Sequence, residues 1–347
     1  MRDFATDLSY LDGTSMLITG GTGSFGKKLV KKLLDDANLS RCIIFSRDEL
    51  KQFEMEQDLR NHTNFATLRF FIGDVRDQRR LLMALRGVDY VVHAAALKHV
   101  PIAEYNPFEC IKTNILGAQN VAEASIACGV KKIIALSTDK AASPLNLYGA
   151  SKLASDKIFV AANNLGGSQD FSCSVVRYGN VLGSRGSVIP FFRNMIDEGT
   201  DHLPITDMRM TRFWITIDQG VNFVLNSLDM MQGGEIYIPK IPSMKITDMA
   251  RNVAPDLPQK EIGIRPGEKL HEEMITETDS LYTVEFKNYF VITPSIPTWD
   301  IDSLCKEFCG RRVEYGFKYN SGTNTEWITI EQLRDQIKNH VDPKFTV

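Results

Sequence analysis

Short apolar runs alternate with longer segments of helical periodicity from about Ser15 to Arg177. The runs are four to six residues long and rich in β-branched side chains, at 16–19, 42–45, 68–72, 90–93, 132–136 and 171–176. Their apolar positions are largely continuous instead of alternating, which is typical of parallel strands that helices cover on both faces. We therefore predict an α/β fold with a doubly wound parallel sheet.

The pattern changes after Arg177, where prolines become frequent and helical segments become shorter. We predict that residues 15–180 form a first domain. Residues 181–347 are predicted to form mainly a smaller C-terminal α/β domain that binds substrate, with some of its last segments returning to the first domain. Residues 1–14 are predicted to be an N-terminal arm. The sequence pattern of the segment after Trp299 does not indicate a role for it.

Composition excludes several classes of protein. The chain has 347 residues, 43% of them hydrophobic, and a net charge of −3, so we expect neither nucleic acid nor an anionic membrane surface as a partner. No window approaches the roughly 18 apolar residues that span a bilayer, and the N-terminus lacks the pattern of a targeting segment. The six cysteines are scattered, as in a reducing compartment, which predicts a cytoplasmic protein.

The residues that could bind a metal ion are not arranged as ligands. Cys305 and Cys309 form the one close cysteine pair, and two further ligands are not found near them in the sequence. His93, His99 and His271 also lack the spacing of a metal site. We expect no metal, and we assign these histidines to packing or loop hydrogen bonds.

A glycine-rich turn follows the first predicted strand and opens a helix. Its glycines have the spacing of a dinucleotide-binding fingerprint. Gly20 permits the tight turn, Gly23 lets backbone N–H groups approach a pyrophosphate, and Gly26 permits close packing of the helix on the strand. A purely structural glycine turn is the alternative. The sequence thus predicts a Rossmann-type site whose contacts in this turn are Gly20, Thr22, Gly23, Ser24, Phe25 and Gly26.

The end of the second strand bears on the choice of dinucleotide. An NAD site usually presents an acidic residue here to the ribose 2′-hydroxyl, whereas this chain has Ser46 and Arg47. We therefore expect NADP, with Asp48 keeping NAD as the alternative. Small residues after the fourth strand would let the backbone approach the cofactor closely. The remaining candidate cofactor contacts are Ser46, Arg47, Asp48, Glu49, Lys51, Asp74, Val75, Ala94, Ala95, Ala96, Lys98, Tyr148, Lys152 and Val181.

Four titratable residues lie in a short stretch that begins after the fifth strand. Tyr148 and Lys152 are four residues apart, so on a helix they share one face and the ammonium can lower the pKa of the phenol. A phenol with a lowered pKa can serve as a base near neutral pH. The same spacing also occurs in ordinary surface helices. The preceding Asp139 and Lys140 add an acid and a second amine.

Longer segments carry a resemblance to a known family. The glycine turn, Asp74, Tyr148–Lys152 and Arg177–Asn180 resemble the extended short-chain dehydrogenase/reductases that act on nucleotide sugars. Four further segments resemble the configuration-inverting UDP-N-acetylglucosamine 4,6-dehydratases that begin pseudaminic acid synthesis. These segments are Ser137–Lys140, His93–Pro101, Ile205–Arg212 and Arg265–Glu272. The resemblance runs from about residue 15 to residue 300.

The resemblance implies a reaction and a role for each catalytic candidate. Tyr148, assisted by Lys152, removes the 4-hydroxyl proton while NADP accepts the hydride, and Thr138 donates a hydrogen bond to the same oxygen. Asp139 then protonates the departing 6-hydroxyl, and Lys140 removes the C5 proton. Hydride return to C6 regenerates the bound NADP. C5-retaining dehydratases typically carry Asp-Glu at these two positions, so the link between Lys140 and inversion comes from the resemblance.

The resemblance also implies a substrate and an assembly. UDP-N-acetylglucosamine is the expected substrate, and a homo-oligomer, with a hexamer as one form, is the expected assembly. A retaining dehydratase, a 4-epimerase and an NADP-sensing binding protein without chemistry remain alternatives on the same fold. Arg265 and Glu268 could instead form a structural salt bridge. The candidate substrate contacts are Lys98, Thr138, Tyr148, Asn180, Thr206, Met208, Arg212, Arg265 and Glu268.

Overall fold

A ten-stranded sheet forms the centre of the protein, with smaller sheets beside it. The computed structural model describes residues 2–166, 170–184 and 187–340. The strands are β1 Ser15–Thr19, β2 Arg41–Ser46, β3 Leu68–Ile72, β4 Tyr90–His93, β5 Lys132–Thr138, β6 Ser172–Tyr178, β7 Asn180–Val181, β8 Leu203–Ile205, β9 Thr211–Ile215, β10 Ile236–Pro239, β11 Ser243–Lys245, β12 Gln259–Glu261, β13 Glu273–Ile275, β14 Thr283–Glu285, β15 Tyr289–Ile292, β16 Arg311–Arg312 and β17 Tyr319–Asn320. The helices are α1 Ser24–Asp36, α2 Glu49–Leu59, α3 Gln78–Ala84, α4 Val100–Tyr105, α5 Pro107–Ile111, α6 Gly117–Ala127, α7 Leu147–Leu165, α8 Val188–Asp197, α9 Ile217–Met230, α10 Ile246–Val253, α11 Ile301–Glu307 and α12 Ile330–His340.

Adjacent strands in the larger part of this sheet run parallel. Their order is β3-β2-β1-β4-β5-β6-β10. Ile18 of β1 pairs with Ile44 on one side and Val92 on the other, and all three side chains are fully buried. The chain runs from β1 outward to β2 and β3 and then crosses to β4 on the other side of β1, so the loops after β1 and β4 diverge and leave a crevice at the carboxyl ends of the strands. The predicted doubly wound parallel sheet is confirmed.

Three short strands extend the same sheet in the antiparallel direction. β15 pairs with β10, β14 pairs with β15, and β16 pairs with β14. β16 belongs to the segment after Trp299, so this segment contributes to the central sheet.

The buried apolar side chains form two clusters. The larger cluster surrounds the central sheet and includes Phe4, Leu8 and Leu11 from the first residues of the chain. The smaller cluster lies among α8, α10 and α12, and Phe192 and Leu333 are two of its members. Leu333 is fully buried, and removing such a side chain from water contributes about 1.5–3 kcal/mol. The last described helix therefore helps to build the second cluster.

Residues from both ends of the chain are tied to the body of the protein. Arg2 donates two hydrogen bonds of 2.7 Å to the Glu326 carboxylate and one of 3.0 Å to the Lys240 carbonyl. β17 pairs with β13 in an antiparallel ladder. These contacts hold residues 319–326 beside the strand that follows the segment 265–272.

A π turn at Lys112–Leu116 joins α5 to α6. Within it, the Asn114 side chain accepts a hydrogen bond from the Leu97 N–H at 2.8 Å and donates one to the Leu97 carbonyl at 2.9 Å. Asn114 also donates to Ser151 Oγ of α7 at 2.9 Å. π turns are frequent at functional sites. Here the turn fixes the loop that follows β4.

Candidate active site

Two clefts open at the carboxyl edge of the parallel strands. The large cleft, of about 910 Å³, runs over the turn after β1 and the loops after β2, β3, β4 and β5. The small cleft, of about 630 Å³, lies beside α8 and the segment 265–272. The two clefts meet at the residues they share, which are His99, Lys140, Asn180 and Ser187.

The glycine turn gives the large cleft the shape of a dinucleotide cradle. Gly20 has a φ of +67°, and a Cβ there would lie 2.9 Å from the Ala95 backbone. A Cβ at Gly26 would collide with the Gly21 carbonyl. α1 begins directly after Gly23, so its first N–H groups and the positive end of its dipole border the cleft. These features fit a pyrophosphate.

All but one of the predicted cofactor contacts line the large cleft. The exception is Glu49, an exposed residue at the start of α2 that lines neither cleft. A carboxylate in the first turn of a helix is stabilised by the helix dipole, which gives Glu49 a local role. The lining residues are Gly20, Thr22, Gly23, Ser24, Phe25, Gly26, Ser46, Arg47, Asp48, Lys51, Asp74, Val75, Ala94, Ala95, Ala96, Lys98, Tyr148, Lys152 and Val181.

In the loop after β2, the Arg47 guanidinium is exposed to solvent, whereas the Asp48 carboxylate is bound to Lys51. Asp48 accepts a hydrogen bond from the Lys51 N–H at 3.0 Å and pairs with the Lys51 ammonium at 2.6 Å. The Arg47 side chain is 54% exposed, and its guanidinium lies 3.6 Å from the Asp74 carboxylate. Asp74 already has a closer partner in Arg76, at 2.7 Å. Arg47 is therefore available to an anion in the large cleft.

Tyr148 and Lys152 lie near the start of α7, and the predicted helix is present. Asn146 caps this helix by accepting a hydrogen bond from the Gly149 N–H at 2.8 Å. A Cβ at Gly149 would collide with the Lys140 carbonyl, so the start of α7 packs directly on the turn after β5. This close packing brings the phenol and the two amines to one wall of the site.

The charges around Tyr148 differ from the expected arrangement. The pKa of Tyr148 is raised to about 12, because burial outweighs the lowering by the charge of Lys140 and by a hydrogen bond with Thr138. Burial lowers the pKa of Lys152. Lys140 thus lowers the pKa of Tyr148, which is the effect that the four-residue spacing predicts for Lys152.

Asp139 and Lys140 form a pair in which Lys140 lines both clefts, whereas Asp139 lies behind it and lines neither. They lie in a 3₁₀ turn that directly follows β5. Lys140 Nζ donates to Asp139 Oδ1 at 3.0 Å, and Thr138 Oγ1 donates to the same oxygen at 2.9 Å. Asp139 is fully buried, and its Oδ2 has no hydrogen-bond partner among the described residues. An acid and an amine therefore share one hydrogen bond beside the small cleft.

A further carboxylate, which sequence reasoning missed, faces this pair. Glu272 Oε1 lies 3.5 Å from Lys140 Nζ and 3.6 Å from Arg212 Nε. Burial acts to lower the pKa of Lys140, but Asp139 and Glu272 together raise it above its usual value. A base must be partly neutral, which burial and the Arg212 cation favour, but the two carboxylates outweigh both effects. Glu272 belongs to the segment Arg265–Glu272, but nothing in its pattern marks it, because its partners come from β9 and the turn after β5.

All predicted substrate contacts except Met208 line one of the two clefts. Met208 is 36% exposed, and its N–H donates to Glu261 at 3.3 Å. Arg265 and Glu268 are 3.9 Å apart, and an exposed pair at this distance contributes little as a salt bridge. The contacts that line the clefts are Lys98, Thr138 and Tyr148 in the large cleft, Thr206, Arg212, Arg265 and Glu268 in the small cleft, and Asn180 in both.

The small cleft also has an aromatic wall that the sequence pattern does not reveal. Phe191, Phe192 and Trp214 line it from α8 and β9. Aromatic side chains offer a large contact area to flat or apolar ligand groups. At the junction, Asn180 Oδ1 is buried without a hydrogen-bond partner, so it can accept a bond from a ligand. The small cleft thus combines apolar contacts with a few polar groups.

A known protein family matches a range of this chain that includes residues of both clefts. The family described as "Polysaccharide biosynthesis protein" matches residues 16–294. The chain belongs to this family. The matched range contains the glycine turn, the Asp139–Lys140 pair and the segment Arg265–Glu272, so the family match includes the whole junction.

Individual relatives match this chain over nearly its full length. A UDP-N-acetylglucosamine 4,6-dehydratase (inverting) from Campylobacter jejuni subsp. jejuni serotype O:23/36 (strain 81-176) is 58% identical over 337 residues, 95% of this chain and 99% of the relative. A UDP-glucose 4-epimerase from Rickettsia felis is 38% identical, with 95% of this chain and 96% of the relative covered. The X-ray structure of Pen from Bacillus thuringiensis matches with a TM-score of 0.85 at 36% identity, over 95% of this chain and 98% of that chain. The resemblance predicted from separate segments is confirmed.

Two of the histidines in this chain contact threonine hydroxyls. His93 Nδ1 lies 2.9 Å from Thr19 Oγ1, and His271 Nδ1 lies 2.8 Å from Thr211 Oγ1. Within the described ranges, no group of three or more His, Cys, Asp or Glu side chains is placed to hold a metal ion. In those same ranges, no helix combines the length and apolar character needed to cross a membrane.

Proposed function

We propose that this protein is a UDP-N-acetylglucosamine 4,6-dehydratase that inverts C5. It oxidises C4, removes the 6-hydroxyl as water and reduces C6, giving UDP-2-acetamido-2,6-dideoxy-β-L-arabino-hex-4-ulose, and is therefore a hydro-lyase. The observation that carries the proposal is the Asp139–Lys140 pair at the junction of the clefts, beside Tyr148. The 58% identity to a protein of this name supports it.

We propose NADP as the dinucleotide of the large cleft. The glycine turn fits the pyrophosphate, since Cβ atoms at Gly20 and Gly26 would obstruct the backbone there. Arg47 is exposed and Asp48 is held by Lys51, so a 2′-phosphate would meet a guanidinium and no free carboxylate. When bound, the nicotinamide accepts the hydride from C4 and returns it to C6, so the cofactor is recycled in place.

Tyr148 removes the 4-hydroxyl proton in the oxidation step. The pKa of its phenol, about 12, already includes the lowering by Lys140, so the phenol is protonated near neutral pH. The positive charge of an oxidised nicotinamide in the large cleft would have to lower this pKa further before Tyr148 can act as a base. Lys152, whose pKa burial lowers, lies one turn further along α7 as a second amine. Thr138 donates a hydrogen bond to the same sugar oxygen.

The Asp139–Lys140 pair carries out the elimination. Transfer of the shared proton from Lys140 Nζ to Asp139 Oδ1, across 3.0 Å, converts the ion pair into a neutral acid and a neutral amine. The amine takes the C5 proton, which the 4-keto group makes acidic, and the acid protonates the 6-hydroxyl as the C6–O bond breaks and water leaves. This step restores the ion pair. A proton from water, delivered to C5 from the face opposite to Lys140, gives inversion, and loss of the 4-hydroxyl proton from Tyr148 to solvent balances it.

A 4-epimerase is the second candidate, because the UDP-glucose 4-epimerase from Rickettsia felis is 38% identical to this chain. Epimerisation requires hydride transfer at C4 and rotation of the keto sugar. It requires neither a base at C5 nor an acid at the 6-hydroxyl. The Asp139–Lys140 pair has no task in that reaction, which favours the dehydratase.

Incubation with UDP-N-acetylglucosamine in deuterated water, followed by proton NMR, tests the proposal. We expect a 6-methyl signal, deuterium at C5 and a 4-keto sugar of L-arabino configuration. A 4-keto product with unchanged C5 configuration would establish the retaining dehydratase. UDP-N-acetylgalactosamine as the sole product would establish the epimerase, and a bound dinucleotide without any product would favour the binding protein.

We also propose a homo-oligomer, with a hexamer as one form, that works in the cytoplasm at the first step of pseudaminic acid synthesis. Large apolar side chains are exposed on α4, α5 and the π turn, as is common at protein interfaces: Ile102, Tyr105, Phe108 and Leu116. All six cysteines are free thiols, which is consistent with a reducing compartment. Size-exclusion chromatography with light scattering tests the assembly, and a monomer would contradict it.

A further inference from the structure

Glu272 is a charged residue at the junction to which the proposed reaction assigns no role. It is 2% exposed, directly precedes β13 and lines the small cleft. Its Oε2 is buried and has no hydrogen-bond partner in the part of the chain that the structure describes. Burying a carboxylate is costly unless cations and hydrogen bonds compensate for the lost water. The cations and hydrogen bonds that compensate for burial of the Glu272 carboxylate therefore indicate its role.

Two cations face the other oxygen of Glu272. Oε1 lies 3.5 Å from Lys140 Nζ and 3.6 Å from Arg212 Nε. Lys140 Nζ also donates to Asp139 Oδ1, at 3.0 Å. The four side chains thus alternate in charge, and the Lys140 ammonium is held between two carboxylates. Movement of this ammonium away from the junction would separate it from both.

The backbone of Glu272 is fixed by the segment that follows Trp299. The Glu272 N–H donates to Ser321 Oγ at 2.9 Å, and the Ser321 N–H donates to the Glu272 carbonyl at 2.8 Å. Ser321 is fully buried, and its Oγ lies 2.7 Å from Thr211 Oγ1. Thr211 directly precedes Arg212. The same serine therefore positions the carboxylate and the arginine that faces it.

We propose that Glu272 is a positioning residue for the elimination, because it holds the Lys140 side chain at the junction of the clefts, opposite Asp139. This inference rests on the dehydratase function proposed above. When Lys140 takes the C5 proton, the ammonium that results forms between Asp139 and Glu272. Glu272 thus stabilises Lys140 in the form that the elimination produces, without contacting the reacting atoms itself.

The charged groups that face Lys140 determine how the elimination depends on pH. Burial lowers the pKa of Lys140, Asp139 and Glu272 raise it, and Arg212 lowers it. The Asp139–Lys140 pair is active with one shared proton, so activity falls on the alkaline side when that proton is lost. A neutral residue at position 272 would leave Arg212 without its carboxylate and move this fall to lower pH. The other titratable neighbours are Lys269 and Tyr148.

Glu272→Gln, assayed with UDP-N-acetylglucosamine over a range of pH, tests the proposal. We expect kcat for dehydration to fall about 30-fold, which is less than the roughly 10²–10⁴-fold that loss of the general base itself would cause, while KM changes little. The alkaline limb of the kcat profile should move about one pH unit lower because one facing anion is gone. C4 oxidation should continue, so reduced nicotinamide should accumulate and be visible by its absorbance. Glu272→Asp keeps the charge and should leave the limb in place, with part of kcat recovered.

Glu273→Gln is the matched control. This neighbouring carboxylate accepts a hydrogen bond from Ser143 at 3.0 Å and lines neither cleft, so the variant should behave like the unmodified protein. A lower kcat with an unmoved limb in Glu272→Gln would show a structural role alone and overturn the proposal. If that variant does not fold, Glu272→Asp decides, because a kcat equal to that of the unmodified protein would exclude positioning. Failure of the unmodified protein to form a 4-keto-6-deoxy sugar would instead refute the proposed function.

Discussion

The large cleft and the small cleft are assembled in different ways. The large cleft consists mostly of loops that directly follow consecutive parallel strands, so each lining segment is adjacent in sequence to the strand that positions it. The small cleft draws on α8, β9 and the segment before β13, and Glu272 within it is held by Ser321. We call the large cleft the dinucleotide side and the small cleft the sugar side. A substitution in a loop of the dinucleotide side should therefore affect that side alone, whereas the sugar side should also respond to substitutions in distant segments of the chain.

The largest expected effect comes from Lys140, which lines both clefts. Lys140→Glu removes the C5 base and places a third carboxylate beside Asp139 and Glu272. We expect dehydration to fall by about 10³-fold, or the C5 outcome to change, while NADP binding stays nearly unchanged. NMR of the products and a fluorescence titration with NADP measure the two effects. Lys157→Glu, at an exposed position on α7, is the control, and an unaltered product and rate in Lys140→Glu would remove Lys140 from the mechanism.

The next effect is confined to the dinucleotide side. Gly20→Ala places a Cβ 2.9 Å from the Ala95 backbone at a φ of +67°, a conformation that costs a residue other than glycine about 1–3 kcal/mol. We expect NADP affinity to fall by about tenfold or more, since 1.4 kcal/mol corresponds to tenfold. Isothermal titration calorimetry measures the affinity. Gly220→Ala on α9, where a Cβ meets nothing within 4 Å, should bind NADP normally, and equal affinity in both variants would contradict the cradle.

Arg47 is the residue that we expect to distinguish NADP from NAD in the large cleft. Arg47→Ala removes the exposed guanidinium beside Asp74. We expect NADP affinity to fall about tenfold, as for the loss of a charged hydrogen bond, while NAD affinity stays constant. Competitive binding of the two dinucleotides measures the ratio. Arg60→Ala, at an exposed position after α2, should leave the ratio unchanged, and the same result in Arg47→Ala would favour NAD.

The smallest expected effect comes from a substitution that tests whether a distant segment of the chain holds the sugar side in place. Ser321→Ala removes the hydroxyl that accepts the Glu272 N–H and contacts Thr211. The loss of a hydrogen bond costs about 0.5–1.5 kcal/mol, so we expect kcat to fall by less than about tenfold with NADP affinity intact. Steady-state kinetics measures this change. Ser303→Ala in α11 removes a bond to Asp300 in the same part of the chain and should have no effect on kcat. A loss of NADP affinity in Ser321→Ala would show that the two clefts are not separate.

The parallel sheet and the glycine turn could be predicted because their signals are local. A buried parallel strand such as Cys42–Phe45 is apolar at every position, and the glycine spacing directly follows a strand. The antiparallel strands β14, β15 and β16 have at most four residues each, too few for a period to show. Phe4 and Leu8 are isolated apolar residues in a polar stretch, so their burial in the larger cluster could not be read from the pattern.

The catalytic candidates differ in the same way. Tyr148 and Lys140 could be identified because the turn after β5 and the start of α7 are close in sequence and pack on each other. Glu272 could not, because its role depends on where Arg212 and Ser321 are placed by tertiary packing. The pKa of Lys140 is raised by Asp139 and by Glu272, and the contribution of Glu272 could not be predicted from the sequence. The spacing of residues along the sequence can therefore identify groups that act together when they are close in sequence, but not when tertiary packing brings them together.

The π turn at Lys112–Leu116 bears on how this protein can tolerate a change in length. A π turn holds one residue more than an α-helical turn, so deleting a single residue there would restore a regular helix. Everything before the deletion would then rotate by about 100° relative to α6. Asn114 would release Leu97, and the exposed apolar residues Ile102 and Phe108 would face a new direction. The extra residue thus acts as an insertion that keeps an outer surface and the loop after β4 in register.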